Sequence, residues 1–222
     1  MNGIPELVVL FERVLTRTSA EDLWHLMLRE DPVYRKIPAE MHGEVVSRAA
    51  GFGRNAAGDV AQRLGTRDPE AIAHALKVAV VDLDTPHVFG KTVRTSTSTH
   101  KTRTIALYSG AVTEMNDALA DADLFRVLAC RDVRPVYVAH ELLHHLEEDG
   151  LGRAADLLRV VTFSLGPIRL RSGIGQMSEI AADAFAQALL KLPAPPRLLD
   201  FLTVCIHNPE MGRKRLAALS DR

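Results

Sequence analysis

Several things are scarce in this chain, and each shortage removes a class of function. There are two cysteines, Cys130 and Cys205, too few for a disulfide framework and not spaced as a ligand pair. They fit a reducing compartment. Charge of one sign is not in excess: 27 Lys and Arg face 28 Asp and Glu, a net of −1. No global basic field therefore draws the protein onto nucleic acid or an anionic bilayer. No uncharged apolar run approaches the length of a membrane span. The segment Met1 to Leu7 lacks a positive region, and Glu6 and Glu12 interrupt its apolar run, unlike a secretory signal. Gly51-Phe52-Gly53 has no following Gly-Lys-Ser/Thr, so it is not a phosphate loop and reads as the interruption or end of a helix. The expectation is a cytoplasmic protein that neither spans a membrane nor binds nucleic acid directly.

What is present is 222 residues, 47% apolar and 25% charged. That supports one sizeable core, or a core with a small accessory region. Residues 4 to 50 read as helical, with Leu7, Val8, Phe11, Val14 and Leu15 at helical spacing and Ser19 with Asp22 as a capping box. A helix-turn-helix could look this way, but basic residues do not gather on one helix face. Residues 1–54 are therefore taken as a helical accessory or homodimer-forming region. Asp68 and Pro69 open a helix to about Leu76. Strands are expected at 78–83, over 89–94 and at 104–108. Helices are expected at 111–120, from Arg134-Pro135 to the glycines Gly150 and Gly152, and over 154–163. Arg169 and Arg171 fall in what reads as a surface excursion. Pro193, Pro195 and Pro196 make a rigid break before a helical extension, residues 194–222. The class is α+β, mostly helical, with a small sheet.

Within the helix from Arg134, His140-Glu141-Leu142-Leu143-His144 puts two imidazoles one turn apart on one face. Such a pair can hold one zinc ion, while Glu141 leaves at another angle, able to take a proton from metal-activated water. This is an H-E-x-x-H pattern, which chance alone would place in roughly one such sequence in fifty. A zinc hydrolase needs a third ligand and an open position. Glu179, in Ser178-Glu179-Ile180-Ala181-Ala182-Asp183, is the candidate, with Asp183 one turn on. Asp183 would accept a hydrogen bond from the outer nitrogen of a ligand histidine and so fix its tautomer. An acidic pair there would also suit a helix N-terminus. His145 points about a hundred degrees from His144 and reads as a surface residue or one that supports a ligand. A donor for the developing oxyanion is required, with Tyr108, His100 and His207 as candidates.

These pieces resemble the ImmA/IrrE-type zinc metallopeptidases, which belong with the gluzincins. The resemblance rests on His140 to His144, on Glu179-x-x-Ala182-Asp183-x-Phe185-Ala186 running to Leu192-Pro193, and on Leu64 to Ala73. It implies a zincin-like metallopeptidase domain over residues 55–193, with one zinc ion on His140, His144 and Glu179. It also implies Glu141 as general base, and a protein substrate that in this family is a helix-turn-helix repressor. By the same resemblance, the strand near 103–108 would be an edge that binds extended substrate. Leu143 stands where the family often has Gly, and the gap from His144 to Glu179 is long. Two alternatives stay open: a zinc-holding regulatory module without proteolysis, and a di-iron carboxylate protein using Glu141-x-x-His144, though no second Glu-x-x-His exists.

Overall fold

The computed structural model describes residues 18–84, 87–89, 92–94, 96–121, 124–125, 129–208 and 210–214. The architecture is mostly helical with three small sheets among these residues, an α+β arrangement. No helix among them is long and apolar enough to cross a membrane.

The helical layer begins with α1, Ala20–Arg29, opened by the expected capping box: the Ser19 hydroxyl accepts from the Asp22 backbone N–H and the Asp22 carboxylate accepts from that of Ser19. Helix α2, His42–Leu64, then runs 23 residues without a break. It passes straight through Gly51-Phe52-Gly53, so the expected interruption is absent, and it crosses residue 54 continuously. Gly53 instead serves close packing. Across from it lies α6, Gln176–Leu190, and a Cβ built on Gly53 would sit 2.0 Å from the Ala181 carbonyl oxygen. Ala49, Ala50, Ala56 and Ala57 on α2 are buried, as are Ala181, Ala182, Phe185 and Ala186 on α6. Small side chains let two helix backbones approach more closely than Leu or Val would permit. Gly65 ends α2 in the left-handed conformation, φ 66°. Two residues later Arg67 donates to the carbonyls of Ala188 and Leu189, closing the other end of α6.

Helix α3, Pro69–Ala75, is capped by Asp68 as expected. It leads into β1, Ala79–Leu83. The strand expected over 89–94 proves to be two short ones, β2 at His87–Phe89 and β3 at Thr92–Arg94, paired antiparallel. Strand β4 is Ser96–Thr99 and β5 is Thr104–Tyr108, in a sheet of order β1-β5-β4. Strand β5 pairs parallel with β1 and antiparallel with β4. The strand at 103–108 is therefore central, not an edge: both of its backbone rows are already bonded, and it cannot add an extended peptide. Among the described strands of this sheet, the outer rows belong to β1 and β4. After α4, Ser109–Asp121, comes α5, Arg134–Leu146, which packs on α6 and against β4 and β5. Arg134 at its start holds Glu70 and Asp82, tying α5 to α3 and β1.

Between α5 and α6 the sequence reading fails. A helix was expected over 154–163, but only Ala154–Asp156 make a single 3-10 turn, and β6, Arg159–Leu165, follows. It turns at Gly166-Pro167 into β7, Ile168–Gly173. Val160, Val161, Thr162 and Phe163 are β-branched or aromatic and favour a strand. Gly166 takes φ +57°, the left-handed value that tight hairpin turns need. A bulge between Val161 and Phe163 shifts the phase by one, so buried Val160 and exposed Phe163, Leu165, Ile168 and Leu170 share one face. Arg169 and Arg171 share the other. Helix α7, Arg197–His207, follows the proline-rich break.

Two glycines of one helix should respond to alanine with opposite sign. Gly51→Ala meets nothing within 4 Å and should stabilise the fold by about 0.5–1 kcal/mol. Gly53→Ala must push α2 from the Ala181 carbonyl and should destabilise it by about 1–3 kcal/mol or more. Chemical denaturation of both variants checks this.

Candidate metal centre

Helix α5 carries His140 and His144 on one face because they are four residues apart, with ring centroids 5.3 Å apart and planes at 73°. The apolar residues between and around them, Val136, Val138, Ala139, Leu142 and Leu143, are buried in the core. That burial fixes the rotation of α5 and turns the two imidazoles toward α6. Leu143 is fully buried in the core.

From the first turn of α6, Glu179 reaches both rings. Its Oε2 is 3.4 Å from His140 Nε2 and its Oε1 is 3.7 Å from His144 Nε2. Among the described residues these three side chains form a group whose donor atoms all lie within 4.8 Å of one another, able to hold a metal ion. The spacing can be tested against a real ion. A tetrahedral site with ligand bonds of about 2.1 Å has donor atoms about 3.4 Å apart along its edges. The 3.4 Å distance from Glu179 Oε2 to His140 Nε2 matches one such edge, while the 3.7 Å distance to His144 Nε2 runs from the other oxygen, Oε1. The histidine side chains are about one quarter exposed and that of Glu179 is 46% exposed, so one side of the group faces solvent and leaves a coordination position accessible.

The electrostatics fit a site built for a cation. Burial disfavours the charged form of His140, but contact with Glu179 and the charges of Glu179, Glu141 and Asp183 outweigh it and raise its pKa to about 9. Burial likewise pushes the Glu179 carboxyl up, and is outweighed by His140, His144 and Arg197, which bring it down to about 2. The two shifts favour a His140⁺ and Glu179⁻ ion pair, its atoms 3.4 Å apart. Asp183 is buried, and burial lifts its carboxyl to about 6 against the opposing effects of Trp24, His140 and the Arg197 N–H.

The candidates from sequence fall out as follows. His140, His144 and Glu179 converge. Glu141 is half-buried, and its charge acts on His140. Asp183 lies within electrostatic reach of His140, but its two oxygens accept hydrogen bonds from Trp24 Nε1 and from the Arg197 backbone N–H, each at 2.6 Å. The carboxylate found on the outer nitrogen of a ligand histidine is Glu147, 3.4 Å from His144 Nδ1. It went unnoticed in the sequence, although three-residue spacing from His144 is a readable sign. His145 is buried rather than on the surface. Tyr108 is buried at the end of β5, in register with Leu83. The side chains of His100 and His207 lie outside the described residues. Arg197 was also missed: it pairs with Glu30 and Asp200 and holds Glu179 down. Only its pairing with Asp200 is local; Glu30 is 167 residues away.

No family model, curated protein or solved structure matches this chain.

The pKa pattern gives two outcomes. Metal uptake near pH 7 should release about one proton per chain, mainly from His140, because a ligand imidazole must be neutral; calorimetry in buffers of different ionisation enthalpy counts it. In the metal-free protein, the raised His140 pKa stabilises the fold fully below about 6.5 and less as pH rises through about 9. The lowered Glu179 pKa stabilises it above about 4.5, and that contribution is lost as pH falls through about 2. The metal-free melting temperature should therefore decline from pH 6.5 to 9, and His140→Ala should remove most of that decline.

Proposed function

We propose that this protein is a zinc-dependent metallopeptidase of the gluzincin kind, similar to the ImmA/IrrE-type enzymes, acting on a protein substrate in the cytoplasm. The observation that carries the reading is the approach of Glu179 to both imidazoles across two separate helices, with one donor atom from each of the three residues within 4.8 Å of the others. Two nitrogens and one oxygen from a His-His-Glu set, with a solvent-facing side, match a catalytic zinc site better than a closed structural one. In this reading the core around α5, α6 and the small sheet is zincin-like.

Bound zinc would supply Lewis acidity and lower the pKa of a coordinated water toward neutrality. The chain's own residues do the rest. Glu141 projects from α5 beside His140, takes the proton released during attack on the peptide carbonyl and passes it to the leaving amine. Glu179 and the two histidines hold the ion. With β5 central, β4 becomes the edge for an extended substrate, since it flanks α5 and its outer row is unpaired among the described strands. Resemblance alone points to a helix-turn-helix repressor as the natural target.

One observation favours a second reading, a zinc-holding interaction module without proteolysis: the β6–β7 hairpin interrupts the two halves of the site and exposes an apolar face. The di-iron alternative is weaker. Such centres draw a Glu from each of two helices and a Glu-x-x-His from two more, whereas the donors gathered here are two imidazoles and one carboxylate.

Purified protein should contain one zinc per chain, and Glu179→Ala should lose it or bind it far more weakly. Glu141→Gln should keep zinc and reduce cleavage of the cognate substrate by about 10²–10⁴-fold. One zinc per chain with no cleavage of the cognate substrate by wild type would leave the interaction module; two irons per chain, or zinc retained undiminished without Glu179, would overturn the gluzincin assignment.

A further inference from the structure

Immediately after α5 ends, the chain makes a π-helical turn, Glu147–Leu151, and Glu147 points inward, its side chain only 4% exposed. A buried carboxylate is costly unless its oxygens are hydrogen-bonded, and these are. Oε1 accepts from the Ala154 backbone N–H at 2.7 Å and from the Ser178 hydroxyl at 2.9 Å. Oε2 faces His144 Nδ1 at 3.4 Å. The Ser178 hydroxyl, having given its proton to Glu147, accepts in turn from the Ala155 N–H at 3.3 Å. Ser178 directly precedes Glu179. One side chain thus touches a ligand histidine of α5 and the residue beside the ligand glutamate of α6, and nothing in the cleavage chemistry uses it.

A carboxylate oxygen accepts, so the neutral tautomer of His144 that this contact favours carries its N–H at Nδ1 and leaves Nε2 bare. Nε2 is the nitrogen that faces Glu179. At 3.4 Å the contact is longer than a settled hydrogen bond, and seating the ring on a cation would shorten it. The hydrogen bonds that Asp183 accepts come from Trp24 Nε1 and the Arg197 backbone N–H.

We propose that Glu147 is the positioning residue of the metal centre: it sets the His144 tautomer and, through Ser178, fixes the start of α6 from which Glu179 projects. The inference rests on the metal-site reading. It gives the H-E-x-x-H helix a fourth functional position, three residues beyond the second histidine, and makes the two ligand helices depend on one buried group.

The test is histidine side-chain ¹H–¹⁵N NMR on metal-free full-length protein at about pH 8, above the ordinary imidazole range, together with zinc affinity from competition with a chelating dye. Wild type should show His144 protonated at Nδ1. In Glu147→Gln the amide oxygen should stay with the two donors, Ser178 and Ala154, turning its NH₂ toward His144. The tautomer should then reverse and zinc affinity fall about 10–100-fold, with the circular dichroism unchanged. Ser178→Ala should keep the tautomer and still weaken zinc binding. A wild-type His144 protonated at Nε2 overturns the proposal even if Glu147→Gln fails to fold. Equal zinc affinity in wild type and folded Glu147→Gln also overturns it, while leaving the metal site standing. Absence of zinc binding in wild type removes the metal reading itself.

Discussion

Helix α6 can lie where it does only because Gly53 has no side chain. With the Ala181 carbonyl 2.0 Å from where a Cβ would be, the α2–α6 approach is set by backbone against backbone, and the buried alanines on both helices continue it. That contact fixes the axis of α6. Packing of Val136, Leu142 and Leu143 into the core fixes the rotation of α5. Glu179 meets the two imidazoles because both constraints hold together. Arg67 on the last carbonyls of α6 and Asp31 on its first turn, accepting from the Gln176 N–H at 2.8 Å, secure the helix at both ends.

The centre itself is a balance of charges that a cation would complete. Glu179, Glu141 and Asp183 surround the imidazoles with negative potential, which explains why His140 holds a proton so strongly when no metal is present. Arg197 opposes excess negative charge while it pairs with Glu30 and Asp200. Metal affinity and proton affinity therefore compete for the same lone pair. In the proposed metal site, selectivity for metal would come from what holds the ring nitrogens bare and aimed, the role proposed for Glu147 at His144.

Local signals were read well where a few neighbouring residues decide the outcome. The Ser19 and Asp22 box, the Asp68 cap, β5 at its full bounds and the start of α5 at Arg134 all follow from short-range rules. Errors came where the deciding partner is remote. Gly53 looked like a break because its reason for being glycine is a carbonyl more than a hundred residues later. The 103–108 strand looked like an edge because its pairing with β1 and β4 cannot be read along the chain. The helix expected over 154–163 is the exception, since the β-branched and aromatic run Val160 to Phe163 and the Gly166-Pro167 turn are local signals for the hairpin.

The sequence by itself determined which atoms could bind a metal and on which helix faces they sit, because four-residue spacing and hydrophobic periodicity are properties of a single element. Tertiary structure decided that those atoms meet. The 3.4 Å and 3.7 Å approaches, the hydrogen bonds of Asp183 to Trp24 and Arg197, and the burial of Glu147 between His144 and Ser178 each join residues on different elements, and their distances depend on close packing that no local pattern encodes.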